Sequence, residues 1–241
     1  MISLESEAAR RAPLVQALTD LGIAHEVFFA MDGRHGLPPE AEPLVDRAGA
    51  VLVRWREVSD AEFACALSHQ AVYAEILARG LPGAVVLEDD VQVGPAFRRF
   101  LEARAWGVAD MVLLDHSGGL VARRPPRRIV DGVMGHRIAT PPYGATGYTL
   151  SARAARIIRR RSLPLRAPAD WPCNIARLDC VAALPRIVAP NRAVASVSTL
   201  SPSRRPMQQR KIRPRFPRLR RLHEPDFWFL RLGIRLGRPL E

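Results

Sequence analysis

Three consecutive carboxylates, Glu88-Asp89-Asp90, follow directly on the apolar run Ala84-Val85-Val86-Leu87. A short run of this kind is typical of a strand covered on both faces, and in open α/β sheets ligands bind beyond the carboxyl ends of such strands. Adjacent carboxylates repel one another. A hard divalent cation, Mn²⁺ or Mg²⁺, would relieve the repulsion and keep positions open for phosphate oxygens, so the implied partner is a nucleoside diphosphate. A solvated acidic turn would carry the same letters. Asp115-His116 ends the second apolar run, Met111 to Leu114, and Ser117-Gly118-Gly119 follows with backbone amides suited to an anion. A turn that merely needs small residues accounts for that stretch equally well.

The elements that must position these residues follow from periodicity. Residues 1–4 suggest a short strand. Residues 5–21 carry Ala8, Leu14, Val15, Leu18 and Leu21 at helical spacing with Gly22 as a C-cap, and Ile23 to Ala30 suggests a second strand closed by Asp32-Gly33. Residues 34–58 show no clear period. Ser59-Asp60-Ala61-Glu62 fits a capping box opening a mostly apolar helix that runs to Arg79 and stops at Gly80 and Pro82. Residues 145–150 suggest another strand, with Ser151 as N-cap of a basic helix through Arg161. Alternating strands and helices predict an α/β sandwich with a mostly parallel central sheet.

Composition bounds the class. The 241 residues are 48% apolar and 25% charged, enough for one large domain or a domain with an appendage. No apolar run approaches the roughly 18 residues of a membrane-spanning helix. The first residues have neither a basic nor an apolar leader pattern, so the expectation is a cytoplasmic protein. Cys65, Cys173 and Cys180 are odd in number and lack CxxC spacing, which indicates neither a disulfide framework nor a structural zinc site.

The net charge of +12 is unevenly spread. Residues 204–241 hold eleven Arg and one Lys against Glu224, Asp226 and Glu241, a net +9, which leaves +3 for residues 1–203. The expected organisation is therefore a main domain over 1–203 and a basic, partly amphipathic tail over 204–241. Pro206, Pro214 and Pro217 break the basic stretch, and downstream Phe227, Trp228, Phe229, Leu230, Leu232, Ile234 and Leu236 are interleaved with Arg231 and Arg235. Such a segment suits an anionic membrane surface. Nucleic-acid binding is the rival reading, disfavoured by the near-neutral body, and a tail packed back on the domain is another.

Six segments in order resemble glycosyltransferase family 25, which includes bacterial lipopolysaccharide and lipooligosaccharide enzymes. They are Ile2-Ser3-Leu4 with Arg10-Arg11, Phe29-Ala30-Met31-Asp32-Gly33, Cys65-Ala66-Leu67-Ser68-His69, Leu87-Glu88-Asp89-Asp90-Val91, Tyr143-Gly144-Ala145-Thr146-Gly147-Tyr148, and Pro168-Ala169-Asp170. The resemblance implies a GT-A-like fold and inverting transfer of a sugar, often galactose, from a UDP-sugar to a saccharide or lipid-linked saccharide acceptor. It implies that Asp32 faces the nucleoside, that Ser68, His69, Glu88, Asp89 and Asp90 lie on the donor side, and that Glu88 with Asp90 forms a DxD-like Mn²⁺ or Mg²⁺ site. Asp170 becomes the candidate base, with a helix cap before Pro172 as its alternative. Asp115, His116 and Tyr143 are assigned to the acceptor side, Tyr143 because an aromatic plane complements the apolar face of a hexose. Tyr148 is assigned to the core and His223 to the surface. His69 lies four residues after Cys65, on the same helix face, where a packed histidine is the alternative.

The expected activity is therefore a metal-dependent transferase of surface-polysaccharide assembly, peripheral on the inner membrane. Two other classes fit the same letters: an inactive transferase scaffold serving as a basic membrane- or nucleic-acid-binding module, and a metal-dependent nucleotidyl or phosphoryl transferase.

Overall fold

A computed structural model describes residues 1–191 and 225–240. In chain order its elements begin with β1 (Ile2–Ser3), α1 (Ala8–Asp20), β2 (Phe28–Phe29), α2 (Arg47–Arg54), α3 (Asp60–Ala78), β3 (Gly83–Leu87), β4 (Val91–Gln92) and α4 (Pro95–Glu102). They continue with β5 (Met111–Leu113), β6 (Leu120–Val121), β7 (Arg127–Val130), β8 (Val133–Thr140), β9 (Gly147–Ser151), α5 (Ala152–Ser162), β10 (Cys180–Leu184), β11 (Ala189–Pro190), α6 (Pro225–Leu236) and β12 (Arg238–Pro239).

Among the described residues, an eight-stranded sheet runs β12-β6-β8-β10-β5-β9-β3, with β7 also paired to β8. Alternate residues of its central strands face two separate cores. Met111, Leu113, Val86, Tyr148 and Ala182 pack with α3 and α5 on one face, whereas Val112, Leu114, Leu87, Val181 and Ala183 pack with Leu14 and Leu18 of α1 and Phe97 and Phe100 of α4 on the other. Helices on both faces make the molecule a layered α/β sandwich, as the strand and helix alternation predicts.

The sheet is mixed, which corrects the expectation of a mostly parallel one. Within it β5 and β10 are parallel, but β9 runs antiparallel to both β3 and β5, and β8 antiparallel to β10. A doubly buried apolar run has the same appearance in either direction, so the pattern that revealed the strands is silent on their sense. The predicted second strand also shortens to Phe28–Phe29, because β1 offers it only the partners Ile2 and Ser3. Residues 34–58 hold a 3-10 turn over Pro39–Leu44 and the helix α2, started by the Asp46 side chain accepting from the Gly49 amide.

The starts of α3 and α5 agree with the sequence, while α1 begins at Ala8 rather than at residue 5. Ser59 and Glu62 form the capping box of α3, and the Ser151 hydroxyl accepts from the Ala154 amide at the start of α5. α3 is buried around most of its circumference, as an apolar helix between a sheet and a covering layer must be. The stretch 225–240 packs on the sheet, α6 against β8 and β12 against β6. The basic run 204–221 and His223 lie outside the described residues.

Candidate active site

The strands β1 and β2 are parallel, and Ile2 bridges in parallel to Glu88 just beyond β3. The carboxyl ends of these three strands therefore open on one side, and there the chain forms a cleft of about 310 Å³. Ser3 and Leu4 line it from the first end, Ala30 to Arg34 from the second, and Glu88, Asp89 and Asp90 from the third. The first half of α3 and the segments 144–146 and 168–170 complete the lining. Gly33 must be a glycine here, since a Cβ would collide with the Asp60 carbonyl of α3. Asp32, Ser68, His69, Glu88, Asp89, Asp90 and Asp170, scattered over 139 positions of sequence, thus meet in one concavity, while Asp115, His116 and Tyr143 lie outside its lining.

The acidic trio is held by a residue that the sequence reading left without a role. Arg10, on the first turns of α1, donates from Nε to Asp89 Oδ1 and from Nη2 to Asp90 Oδ2, both at 2.7 Å. Ser3 Oγ donates to Asp89 Oδ2 at 2.8 Å. Burial pulls the guanidinium's pKa down, but the hydrogen bond it donates to Asp89 and the charges of Asp89, Asp90 and Glu88 raise it overall. Asp90 moves the other way. Its burial and the neighbouring Glu88 charge push its pKa up to about 6, against the pull of Arg10. Its Oδ1 is buried and has no hydrogen-bond partner among the described residues. The sheet fragment β4–β11 and a bond from the Asn191 amide to the Asp90 carbonyl fix the chain on the far side of the trio.

Glu88 faces a different neighbour. His69, 2% exposed, places Nε2 3.2 Å from Glu88 Oε1 and Nδ1 2.7 Å from the Tyr148 hydroxyl, which in turn lies 2.7 Å from that of Tyr73. Tyr148 is fully buried and packs edge-on against Trp171, in agreement with its core assignment. Cys65, one turn before His69, lines the same wall.

The remaining candidates divide by what their polar atoms already do. Asp32 is gripped by Arg34 through both oxygens, and this bond lowers its pKa. Ser68 is committed to the backbone, accepting from the Met31 amide at 2.9 Å and donating to Ala64 at 2.7 Å, so it staples α3 to the Ala30–Gly33 segment. No helix among the described residues starts at Asp170. Asn174, four residues later, caps the 3-10 turn Ile175–Arg177 instead. Burial and Arg56 lower the pKa of Arg54, while Asp170, Glu62 and Tyr143 oppose that shift, so Asp170 and Tyr143 share one electrostatic neighbourhood. Tyr143 is 66% exposed. Asp115 is buried behind the cleft wall, accepting from Thr146 at 2.7 Å and Arg186 at 3.1 Å, and His116 Nε2 lies 2.9 Å from the Ala183 carbonyl. Gly118 and Gly119 both adopt positive φ, 64° and 84°, so the turn itself requires them.

The donor chemistry of Glu88 and Asp90 fits a hard divalent cation. Two carboxylates, one with a buried oxygen that has no partner among the described residues, are the ligands Mg²⁺ or Mn²⁺ takes. Arg10 could have been anticipated from the sequence only by asking which cation offsets three adjacent negative charges.

The family model described as Glycosyltransferase family 25 (LPS biosynthesis protein) matches residues 1–122, half of the chain, and the chain belongs to this family. The matched stretch includes Ser3, Arg10, Asp32, Cys65, His69 and the acidic trio; Asp170 lies beyond it. Among curated relatives, the lacto-N-neotetraose biosynthesis glycosyltransferase LgtE of Neisseria meningitidis serogroup B is 30% identical over 184 residues, 71% of this chain and 62% of that protein. The mouse protein named inactive glycosyltransferase 25 family member 3 is 31% identical over 186 residues, 70% of this chain and 30% of that one. Procollagen galactosyltransferase 1 of Danio rerio is 27% identical over 184 residues, 70% of this chain and 30% of the fish protein. The chain thus matches less than two thirds of the length of each of these relatives.

Proposed function

We propose that this chain transfers a hexose, galactose favoured, from a UDP-sugar to a saccharide or lipid-linked saccharide acceptor, with inversion, in lipopolysaccharide or other surface-polysaccharide assembly. The observation that carries this reading is the convergence of Asp32, His69, the Glu88–Asp90 trio and Asp170 on one cleft at the carboxyl ends of β1, β2 and β3. A GT-A-like arrangement is part of the proposal; the Neisseria relative's name supports glycosyl transfer, and the fish relative's name supports the choice of galactose.

In this mechanism Asp32 orients the nucleoside, and Glu88 and Asp90 hold Mn²⁺ or Mg²⁺. When bound, the cation supplies Lewis-acid stabilisation of the negative charge that builds on a departing diphosphate. Arg10 keeps Asp89 and Asp90 close together without their mutual repulsion forcing the loop apart. Asp170 takes the proton of the acceptor hydroxyl as its oxygen bonds to the anomeric carbon from the face opposite the leaving diphosphate, which inverts the configuration. The exposed ring of Tyr143 offers a plane for the acceptor sugar, and Asp115 and His116 brace the turn that carries it through the Ser117–Tyr143 bridge.

A second reading has its own observation. Arg10 already places a cation between Asp89 and Asp90, and the mouse and rat relatives carry the word inactive in their names, so a scaffold that binds without turning over is the alternative. A screen for UDP release across common UDP-sugars with Mn²⁺ separates the two. Metal-dependent release from at least one UDP-hexose is expected. Release from none, with turnover of a nucleoside triphosphate, would move the assignment to nucleotidyl or phosphoryl transfer; no turnover of either would leave the scaffold.

The proposed location is the cytoplasmic face of the inner membrane, with the basic tail and α6 against anionic lipid. No helix among the described residues is long and apolar enough to cross a membrane. α6 exposes Trp228, Leu232, Ile234 and Leu236 beside Arg231 and Arg235. Basic residues near an anionic surface contribute about 1 kcal/mol each, and the exposed apolar side chains add interfacial burial.

A further inference from the structure

We infer that Cys65, His69 and Glu88 form a thiolate, imidazole and carboxylate site for a borderline-soft divalent cation, Zn²⁺, distinct in donor chemistry from the Glu88–Asp90 position. Their ligand atoms all lie within 4.8 Å of one another. Around a tetrahedral Zn²⁺, bonds of about 2.0–2.3 Å put neighbouring ligands roughly 3.3–3.8 Å apart, so small side-chain rotations close the set.

Three features favour this use of the cluster. Cys65 and His69 are one turn apart on the same face of α3, a helix fixed by its capping box, so two ligands arrive on a rigid element. The Tyr148 hydroxyl, 2.7 Å from His69 Nδ1, can accept its proton and leave the Nε2 lone pair turned toward Glu88, the outer hydrogen bond that orients metal-bound histidines. All three residues line the cleft, which leaves the fourth position to water or a ligand.

Thiolate and imidazole donors discriminate against Mg²⁺ and Mn²⁺, and Zn²⁺ stands well above Mn²⁺ in intrinsic affinity. On binding, the Cys65 thiol releases its proton to solvent and the sulfur becomes the ligand. Because Glu88 belongs to both sets, Zn²⁺ here competes with the hard cation of the proposed transferase. That consequence rests on the function proposed above; the binding itself does not.

The test is a titration of the metal-free chain with Co²⁺, followed by Zn²⁺, read by absorption. The expected result is a thiolate-to-cobalt charge-transfer band saturating at one equivalent and bleached by Zn²⁺. It should disappear in Cys65→Ser and persist in Cys173→Ser and Asp90→Asn, and His69→Gln, which removes a ligand, should weaken binding by more than the roughly 10–100-fold that loss of an outer hydrogen-bond partner costs. In the wild-type chain, Zn²⁺ should also slow alkylation of Cys65, read by peptide mass mapping, which keeps the test open should Cys65→Ser not fold. Absence of the band, its retention in Cys65→Ser, or alkylation indifferent to Zn²⁺ would overturn the site. An intact band in a chain that binds no UDP-sugar would instead count against the proposed function alone.

Discussion

At Asp90, one carboxylate oxygen meets Arg10 and the other meets no partner among the described residues, while burial and Glu88 raise its pKa to about 6. A carboxyl whose pKa is raised on folding favours the fold fully below its unfolded value, near 4, and that contribution is lost as pH rises through about 6. A rise from near 4 to about 6 corresponds to on the order of 2–3 kcal/mol. Asp90→Asn should therefore flatten the fall in melting temperature between pH 4 and 6 and raise it at pH 7; a lower melting temperature at pH 7 would contradict the assignment. Arg10→Gln leaves two partly buried carboxylates without their cation and should cost about 3–5 kcal/mol, with part of the loss restored by Mn²⁺. Denaturant unfolding with and without the metal measures both effects, and a loss that Mn²⁺ does not touch would mean that the metal does not reach the trio. Asp170→Asn should leave UDP-sugar binding close to normal while transfer falls by about 10²–10⁴-fold, the range for a general base. Equal loss of binding and transfer would make Asp170 structural.

The elements carry this site because their ends are well specified. The Ser59 capping box orients α3, and with it Ser68, His69 and Cys65, so Ser59→Ala should cost about 1 kcal/mol of stability in denaturant unfolding. No change would show that packing alone places the helix. Capping boxes and doubly buried strands are local patterns, which is why α3, β3, β5, β9 and α5 could be read from the sequence. The hairpin of β7 and β8 was not, since its buried positions are broken up by Arg127, Arg128, His136 and Arg137. Strand direction was hidden as well. β9 reaches its place between β3 and β5 from the cleft side, a matter of connection rather than composition. Arg10 escaped assignment for a related reason: its partners lie 79 and 80 positions away, and nothing in the local pattern of α1 distinguishes a clamp from a solvated arginine.

Over the whole molecule, charge is divided unevenly, with a net +3 on residues 1–203 and +9 on residues 204–241. If that tail and α6 meet a membrane, the protein should partition onto anionic vesicles and leave them as salt rises, with little affinity for neutral ones. Replacing Leu232 and Leu236 of α6 by Ala should weaken that partition; equal binding to neutral vesicles would remove the electrostatic component. Such docking would bring a lipid-linked acceptor to the cleft, whose own chemistry is the central matter. Calorimetric titration with UDP-galactose and other UDP-hexoses, with and without Mn²⁺, tests it most directly. Metal-dependent binding of at least one of them by the wild-type chain, abolished in Asp90→Asn with the fold retained, is the predicted result. Binding that ignores both Mn²⁺ and Asp90, or no binding of any UDP-sugar, would contradict it.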